Sequence, residues 1–181
     1  MSQSRVILYD SSPNGANGLA WAGYSRLRPG WKSIGAKSWD EGCAALLELG
    51  TTIDEIQVWG HGSPGQPLIA TQPIEHNHLL IFHAMLKPYD RRPLVWFRSC
   101  SVFFGAKGQR FARKAADDLG CLVAGHTRVI WFPWQSGLYV AKPGVEPDWP
   151  VDQGEPKDFR SSRIAPHTIF AGRMSIPKEW S

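Results

Sequence analysis

The chain contains few cysteines, and their placement argues against a disulfide framework. Its 181 residues include three of them, Cys43, Cys100 and Cys121, an odd number with no close spacing. Small secreted proteins that depend on disulfides carry more cysteines, usually an even number. We therefore expect three reduced thiols.

Long apolar runs are also missing. Runs such as residues 79–82 and 94–97 are far shorter than the roughly 18 to 20 residues that cross a bilayer. Residues 1–15 hold only a short apolar stretch before polar turn residues, which is too little for the core of a secretory signal. Together with the thiols, this predicts a cytoplasmic protein with no membrane partner.

Motifs for metal, nucleotide and serine chemistry are absent from the sequence. There is no HExxH or CxxC pattern, no P-loop, no dinucleotide fingerprint and no GxSxG elbow. One short segment contains three histidines, His76, His78 and His83. A closed zinc site would also need a fourth ligand of suitable geometry. We expect neither a metal nor another cofactor.

Positive charge is concentrated in one stretch of the chain. The formal net charge is +4, yet residues 86–114 alone contain eight basic residues and one acidic residue, giving +7. This basic stretch is either a solvated helix face with a basic loop, or a surface that attracts an acidic partner. Nucleic acid is not an expected partner, because the sequence has no Lys/Arg run, RNA-binding signature or helix-turn-helix punctuation.

What the sequence does contain is the pattern of one globular α/β domain, spanning residues 1–181. Apolar runs of strand length occur at 5–9, 53–60, 93–100 and 121–125, and helical patterns occur at 38–50, 77–87 and 108–119. Residues 15–37 are predicted as a long loop, and residues 129–181 as an irregular C-terminal extension with one or two edge strands. Strands separated by helices predict a mainly parallel sheet.

Two of the predicted strands end in residues that carry chemistry. The first leads into His61 and Gly62, and the second into Ser99 and Cys100. Functional groups collect at the carboxyl ends of parallel strands, so His61 and Cys100 meet if these strands are neighbours. A histidine can take the thiol proton, and the basic stretch around Cys100 is expected to lower the thiol pKa. Gly62 would let backbone N–H groups approach an oxyanion. The alternative is a packed thiol and a surface imidazole.

The order of these motifs resembles the caspase-like cysteine peptidases, closest in look to small bacterial caspase-like and CHAT-type domains. In that superfamily an apolar strand leads into His-Gly, and a later strand leads into a small residue and Cys. A Gly-rich turn and a helix follow, for which Gly105 and Gly108 are suited. The resemblance covers residues 5–127 and implies a three-layer α/β/α sandwich with a caspase-like sheet. Residues 101–102 are Ser-Val instead of the Arg-Gly of true caspases, so caspase substrates are not implied.

The resemblance implies a cysteine endopeptidase. Cys100 would be the nucleophile and His61 the general acid/base, with the N–H groups of Gly62 and Cys100 as the oxyanion hole. Asp10, Arg98 and Ser99 are candidates for the substrate pocket. Asp10 would favour cleavage after Arg or Lys, although it could instead only form a turn. Arg98 lies on the same strand face as Cys100 and is either in a structural ion pair or in the pocket.

Two other functions fit the same pattern. One is a non-catalytic caspase-like interaction module that binds an acidic partner through the basic stretch. The other is a cysteine hydrolase that acts on a small molecule. Cys43 and Cys121, on a helix face and in a buried strand, are predicted to be core thiols. The expected partner is a protein or peptide substrate, and the sequence does not set the oligomeric state.

Overall fold

A computed structural model describes residues 4–13, 22–23, 30–88, 92–130, 134–153 and 167–169. Three helices lie in this part of the chain: α1 (Trp39–Leu47), α2 (His76–Met85) and α3 (Gly105–Leu119). Its strands are β1 (Arg5–Asp10), β2 (Trp31–Ala36), β3 (Glu55–Trp59), β4 (His61–Ser63), β5 (Gln66–Ile69), β6 (Gln72–Pro73), β7 (Leu94–Arg98), β8 (Leu122–His126), β9 (Trp134–Ser136), β10 (Leu138–Ala141) and β11 (His167–Ile169).

A six-stranded sheet organises the fold, in the order β10-β8-β7-β3-β1-β2. The five strands from β8 to β2 run parallel, and β10 pairs antiparallel with β8 at one edge. Strands β4, β5 and β6 form a separate small antiparallel sheet, and β9 pairs with β11. The predicted α/β class and mainly parallel sheet are confirmed, and helices flank the sheet as in the expected α/β sandwich.

The main hydrophobic core lies between one face of the sheet and the three helices. Alternate residues of the central strands point to this face, including Val6, Ile56, Val95 and Val123, and all are fully buried. The helices contribute their apolar stripes, for example Leu46 of α1. This packing fixes the central strands side by side, and therefore also fixes where their carboxyl ends meet.

Local signals explain why the helices begin and end where they do. The Ser38 hydroxyl accepts the Glu41 N–H at 3.2 Å, and the Glu41 carboxylate accepts the Lys37 N–H at 2.7 Å, so α1 begins at a side-chain cap. Helix α3 ends at Gly120, whose φ of 57° is in the left-handed region that glycine adopts without strain.

The opposite face of the sheet carries buried polar and aromatic side chains. On β3, the Gln57 side chain donates to the Glu55 carboxylate at 2.7 Å and accepts from the Trp59 indole at 3.0 Å. On β7 and β8, the Trp96 indole donates to His126 at 3.2 Å. Hydrogen bonding of this kind is what makes buried polar groups tolerable in a core.

The structure corrects the predicted element boundaries at three places. Strand β2 lies inside residues 15–37, which were predicted as a loop; it is an edge strand with exposed Lys32 and Ser33, so its sequence is not apolar. Residues 15–21 and 24–29 of that predicted loop lie outside the described residues. Helix α3 begins at Gly105 instead of residue 108, and His61 begins a hairpin strand instead of ending β3.

Within the predicted C-terminal extension, β10 is an edge strand of the main sheet and β9 and β11 pair with each other. Residues 131–133, 154–166 and 170–181 of this extension lie outside the described residues. Among the residues that the structure describes, no helix has the length and apolarity needed to span a membrane.

His126 is expected to make the protein sensitive to acid. Burial lowers its pKa from 6.5 to about 3, with Arg98 adding to the decrease. Below pH 6.5 the unfolded chain binds a proton that the folded protein does not, so stability falls as the pH drops from about 6.5 towards 3. The fall should approach about 1.4 kcal/mol per pH unit from this residue alone.

Urea unfolding of the wild type and of His126→Gln between pH 8 and pH 5 measures this contribution. The difference between the two free energies of unfolding should be constant above pH 7 and should change with pH below 6.5. A difference that stays constant down to pH 5 would contradict a buried, neutral His126.

Candidate active site

His61 lies at the start of a hairpin that folds back over the carboxyl end of the sheet. Strand β3 ends at Trp59, and Gly60 connects it to β4, where His61 pairs with Leu68 of β5. A side chain at Gly60 would overlap the Leu68 carbonyl oxygen, so this tight connection requires glycine. The His61 backbone is therefore held by the hairpin as well as by β3.

Cys100 lies in a tight turn after the neighbouring parallel strand. Residue Trp59 of β3 is in register with Arg98 of β7, so the chain reaches Cys100 two residues beyond the paired end of the strand. Ser101 follows with a φ of 54°, a strained value for a residue that is not glycine. Its N–H donates to the Arg128 carbonyl at 2.9 Å, which fixes the turn after the cysteine.

Gly62 brings the two segments into direct contact. A Cβ atom at Gly62 would lie 2.7 Å from the Cys100 carbonyl oxygen, 2.8 Å from Ser99 Cβ and 3.3 Å from the Cys100 nitrogen. Any side chain here would push the hairpin away from the cysteine. The expected neighbouring, parallel arrangement of the His61 and Cys100 strands is confirmed, and the His-Gly pair lies against the Cys100 backbone.

A second contact holds the same hairpin to the segment after Cys100. The Gly65 N–H donates to the Val102 carbonyl at 2.9 Å. Gly65 has a φ of 79°, and a Cβ atom there would lie 2.9 Å from the Lys107 carbonyl oxygen on α3. The sequence analysis did not identify this role of Gly65. The sequence did contain a signal for this role, namely a glycine in the turn that follows His-Gly. Close approach of two backbones at such a place requires glycine.

The Cys100 thiol is protonated in this arrangement. It is half-buried and donates to the Ile130 carbonyl at 3.8 Å. Burial raises its pKa above the ordinary value, and backbone hydrogen bonds at Ile130 and at Cys100 itself offset part of that increase. The expectation that the basic stretch lowers this pKa is wrong, because burial outweighs any effect of the surrounding charge.

Three cations of the basic stretch are partly neutralised by ion pairs. Lys87 pairs with Asp54 and Lys114 with Asp118, each at 2.8 Å or less. Arg113 pairs with Glu146. These pairs reduce the positive charge of the basic stretch; the Lys114–Asp118 pair lies within α3. Arg91 lies outside the described residues.

Cys43 and Cys121 are core thiols, as expected. They are 2% and 0% exposed, and burial raises the pKa of Cys43 to about 11 and that of Cys121 to about 12. Neither is a candidate nucleophile, because the reactive form of cysteine is the accessible thiolate. Cys100 is the most accessible thiol of the three.

Two backbone donors were predicted to form the oxyanion hole. The Cys100 backbone offsets part of the rise in the thiol pKa, and the assignment of its N–H to the hole stays a prediction. The next donor along the chain, the Ser101 N–H, is used by the Arg128 carbonyl. The assignment of the Gly62 N–H to the hole stays a prediction.

Asp10 lies beside the start of the hairpin, but its carboxylate is fully buried and already bound. One oxygen accepts the Ser12 N–H and the other accepts the Ala70 N–H, both at 2.9 Å. Ala70 has a φ of 56°, a strained value that this bond helps to maintain. Asp10 therefore anchors the hairpin to the end of β1. A basic substrate side chain would have to reach a carboxylate that is fully buried and already accepts two backbone N–H groups.

Arg98 and Ser99, the other two predicted pocket residues, are also buried. The Arg98 guanidinium is 2% exposed and lies 3.8 Å from the centre of the Trp96 ring and 5.9 Å from that of Trp59. This is a cation–π arrangement, and the nearby Glu55 carboxylate adds an opposite charge. Ser99 is fully buried, with its side chain under Gly62. Both residues therefore support the turn that carries Cys100 from the buried side.

The histidines of α2 are held in separate pairs. His76 contacts Asp118 at 2.9 Å, His78 contacts Asp40 at 3.1 Å, and His83 contacts the Leu119 carbonyl at 2.9 Å. No group of three or more metal-ligating side chains lies within the described part of the chain.

Comparisons of this chain with protein-family models, with curated proteins and with solved structures give no match.

Alkylation should distinguish Cys100 from the other two thiols. Iodoacetamide at pH 8 should modify Cys100 well before Cys43 and Cys121, because only Cys100 is accessible. Its rate should rise about tenfold per pH unit and keep rising above pH 9, where a free thiol levels off, because burial raises its pKa.

Peptide mass spectrometry of the time course gives the rate at each cysteine. His61→Ala should slow the reaction of Cys100 and leave the order of the three sites unchanged. Equal labelling of all three cysteines in the folded protein, or a Cys100 rate that levels off below pH 8, would contradict this description of the thiol.

Proposed function

We propose that this protein is a cysteine hydrolase that cleaves peptide bonds, with Cys100 as the nucleophile and His61 as the general acid/base. The observation that carries the proposal is the contact of Gly62 with the Cys100 backbone, which places the His-Gly pair beside the one accessible thiol. A histidine within hydrogen-bond reach of a cysteine at the carboxyl edge of a parallel sheet can act as the base for that nucleophile.

The raised thiol pKa determines how the proton moves in this proposal. Because Cys100 is protonated at neutral pH, His61 takes the proton as the sulfur attacks the carbonyl carbon of the scissile bond. We expect the tetrahedral oxyanion to be stabilised by the backbone N–H groups of Gly62 and Cys100. His61 then gives the proton to the departing amine, and the C–N bond breaks to leave a thioester.

Water completes the cycle. His61, now neutral, removes a proton from a water molecule as the water oxygen attacks the thioester carbon. The C–S bond breaks, the thiolate recovers the proton, and the carboxylic acid product leaves. The fixed turn at Ser101 keeps the sulfur in one position through both steps, which is the contribution of preorganised geometry to catalysis.

The preference for Arg or Lys before the scissile bond remains a prediction with less support. It rests on Asp10, whose two oxygens are already bound by the N–H groups of Ser12 and Ala70. We therefore make the preference secondary to the hydrolase proposal. The free thiols support the proposal that the protein works in the cytoplasm on a protein or peptide.

The interaction module is the alternative function. Its support is the local charge of residues 86–114, which the ion pairs of Lys87, Arg113 and Lys114 reduce. A hydrolase of small molecules would use the same cysteine and histidine and would differ only in its substrate. A cleavage experiment, read together with the reactivity of Cys100 towards iodoacetamide, separates the three functions.

A proteome-derived peptide library, read by mass spectrometry of new N-termini, tests the proposal. The wild type should cleave, and Cys100→Ala and His61→Ala should each lose at least about a thousandfold in rate. Cys43→Ala is the matched control, since it removes a thiol that is buried in the core, and it should retain activity.

Cleavage that persists in Cys100→Ala would rule out the proposed nucleophile. No cleavage by a folded wild type whose Cys100 still reacts rapidly with iodoacetamide would favour the small-molecule hydrolase. No cleavage together with an unreactive Cys100 would favour the interaction module.

A further inference from the structure

A polar cleft of about 310 Å³ lies at the edge of the sheet opposite Cys100. It is formed where β1 and β2 begin and where the chain approaches β3. Strands of five or six residues at about 3.3 Å per residue place it roughly 16 to 20 Å from the carboxyl edge. The cleft is thus separate from the candidate active site, and nothing in the proposed function uses it.

The side chains around this cleft are basic or carry hydroxyl groups. The basic ones are Arg5, Lys32 and Lys87, and the hydroxyl-bearing ones are Ser4, Thr51 and Thr52. No carboxylate is among the described residues that line it. The lining therefore offers hydrogen-bond donors and positive charge, with no apolar side chain to attract a hydrophobic ligand.

Two of the three cations are held in place by partners outside the lining. Lys87 lies 2.8 Å from Asp54, which also accepts the Ser4 N–H at 2.7 Å. The Arg5 guanidinium lies 5.5 Å from the centre of the Trp31 ring, and its Nε is 3.7 Å from Glu55. These contacts orient the two side chains before any ligand arrives, which reduces the entropy lost on binding.

The charge in the cleft is only partly neutralised. Burial raises the pKa of Glu55, which makes its negatively charged form less favourable. Lys32 is exposed and forms no ion pair with any residue in the described ranges. Gly30 borders the cleft with a φ of 81° and open space where a side chain would be, so a ligand can approach the backbone there.

We propose that this cleft binds a small molecule that carries a phosphate group. Three cations and three hydroxyl groups suit a tetrahedral dianion, since charge-assisted hydrogen bonds to phosphate are stronger than neutral ones. The volume is at the lower end of the range for small-molecule sites. It therefore favours a phosphate monoester of modest size, or free phosphate, over a long polyanion.

Backbone amide NMR of the full chain, titrated with inorganic phosphate and with phenyl phosphate, tests the proposal. Sodium chloride at matched ionic strength is the reference. Saturable shifts are expected at the amides of Ser4, Lys32, Thr51 and Thr52. Tighter binding of phenyl phosphate would identify an organic phosphate as the ligand, and equal or tighter binding of inorganic phosphate would identify the free anion.

Two lysine variants provide a matched pair. Lys32→Met should weaken phosphate binding about tenfold, which corresponds to the loss of one charge-assisted hydrogen bond. Lys37→Met is the control, because Lys37 is also exposed and follows the other end of β2. It should leave the affinity unchanged, as should Cys100→Ser, because the cleft is separate from the candidate active site.

Shifts that do not saturate, or that chloride reproduces, would overturn the proposal. Equal losses of affinity in Lys32→Met and Lys37→Met would overturn it as well, since they would show only a general effect of net charge.

Discussion

The close approach of Gly62 to the Cys100 backbone is the constraint on which the candidate site depends. With a Cβ atom the hairpin would meet the Cys100 carbonyl oxygen at 2.7 Å, a distance that packed atoms do not tolerate. Without one, the residue after His61 lies directly on the turn that carries the thiol. Two parallel strands from the centre of one sheet thereby bring His61 and Cys100 to the same edge of that sheet.

Several buried polar groups stabilise this contact from the surrounding structure. Asp10 binds the Ala70 N–H and so ties the far end of the hairpin to β1. The Arg128 and Ile130 carbonyls accept from Ser101 and Cys100. Each of these groups would be costly to bury alone. We therefore expect the hairpin and the turn to behave as one structural unit.

Aromatic packing supports the segment that follows the cysteine. The Trp149 ring stacks on Phe103 with centroids 5.3 Å apart, and its indole donates to the Phe103 carbonyl at 3.2 Å. Phe103 in turn covers Gly125 of β8, where a Cβ atom would lie 2.7 Å from its ring. A residue from the C-terminal part of the chain thus stabilises the turn at Cys100.

The central strands and the helices can be predicted from the local sequence, whereas the geometry of the candidate site cannot. Strands β3 and β7 are predictable because each contains a short run rich in apolar and β-branched or aromatic residues, such as Val58 and Phe97. Helix α1 is predictable because Ser38 and Glu41 cap it. Strand β2 is not, because an edge strand needs no apolar alternation. The raised pKa of Cys100 and the binding of Asp10 depend on contacts between distant segments, which neither spacing nor composition encodes.

A crystal structure of the wild type inactivated by a peptidyl chloromethyl ketone would test the central claim most directly. The claim predicts a covalent bond to the Cys100 sulfur, with an imidazole nitrogen of His61 within hydrogen-bond reach, about 2.6 to 3.2 Å, of the sulfur or the inhibitor oxygen. A bond to Cys43 or Cys121, or a His61 ring turned away from the adduct by more than about 10 Å, roughly three times that reach, would contradict it.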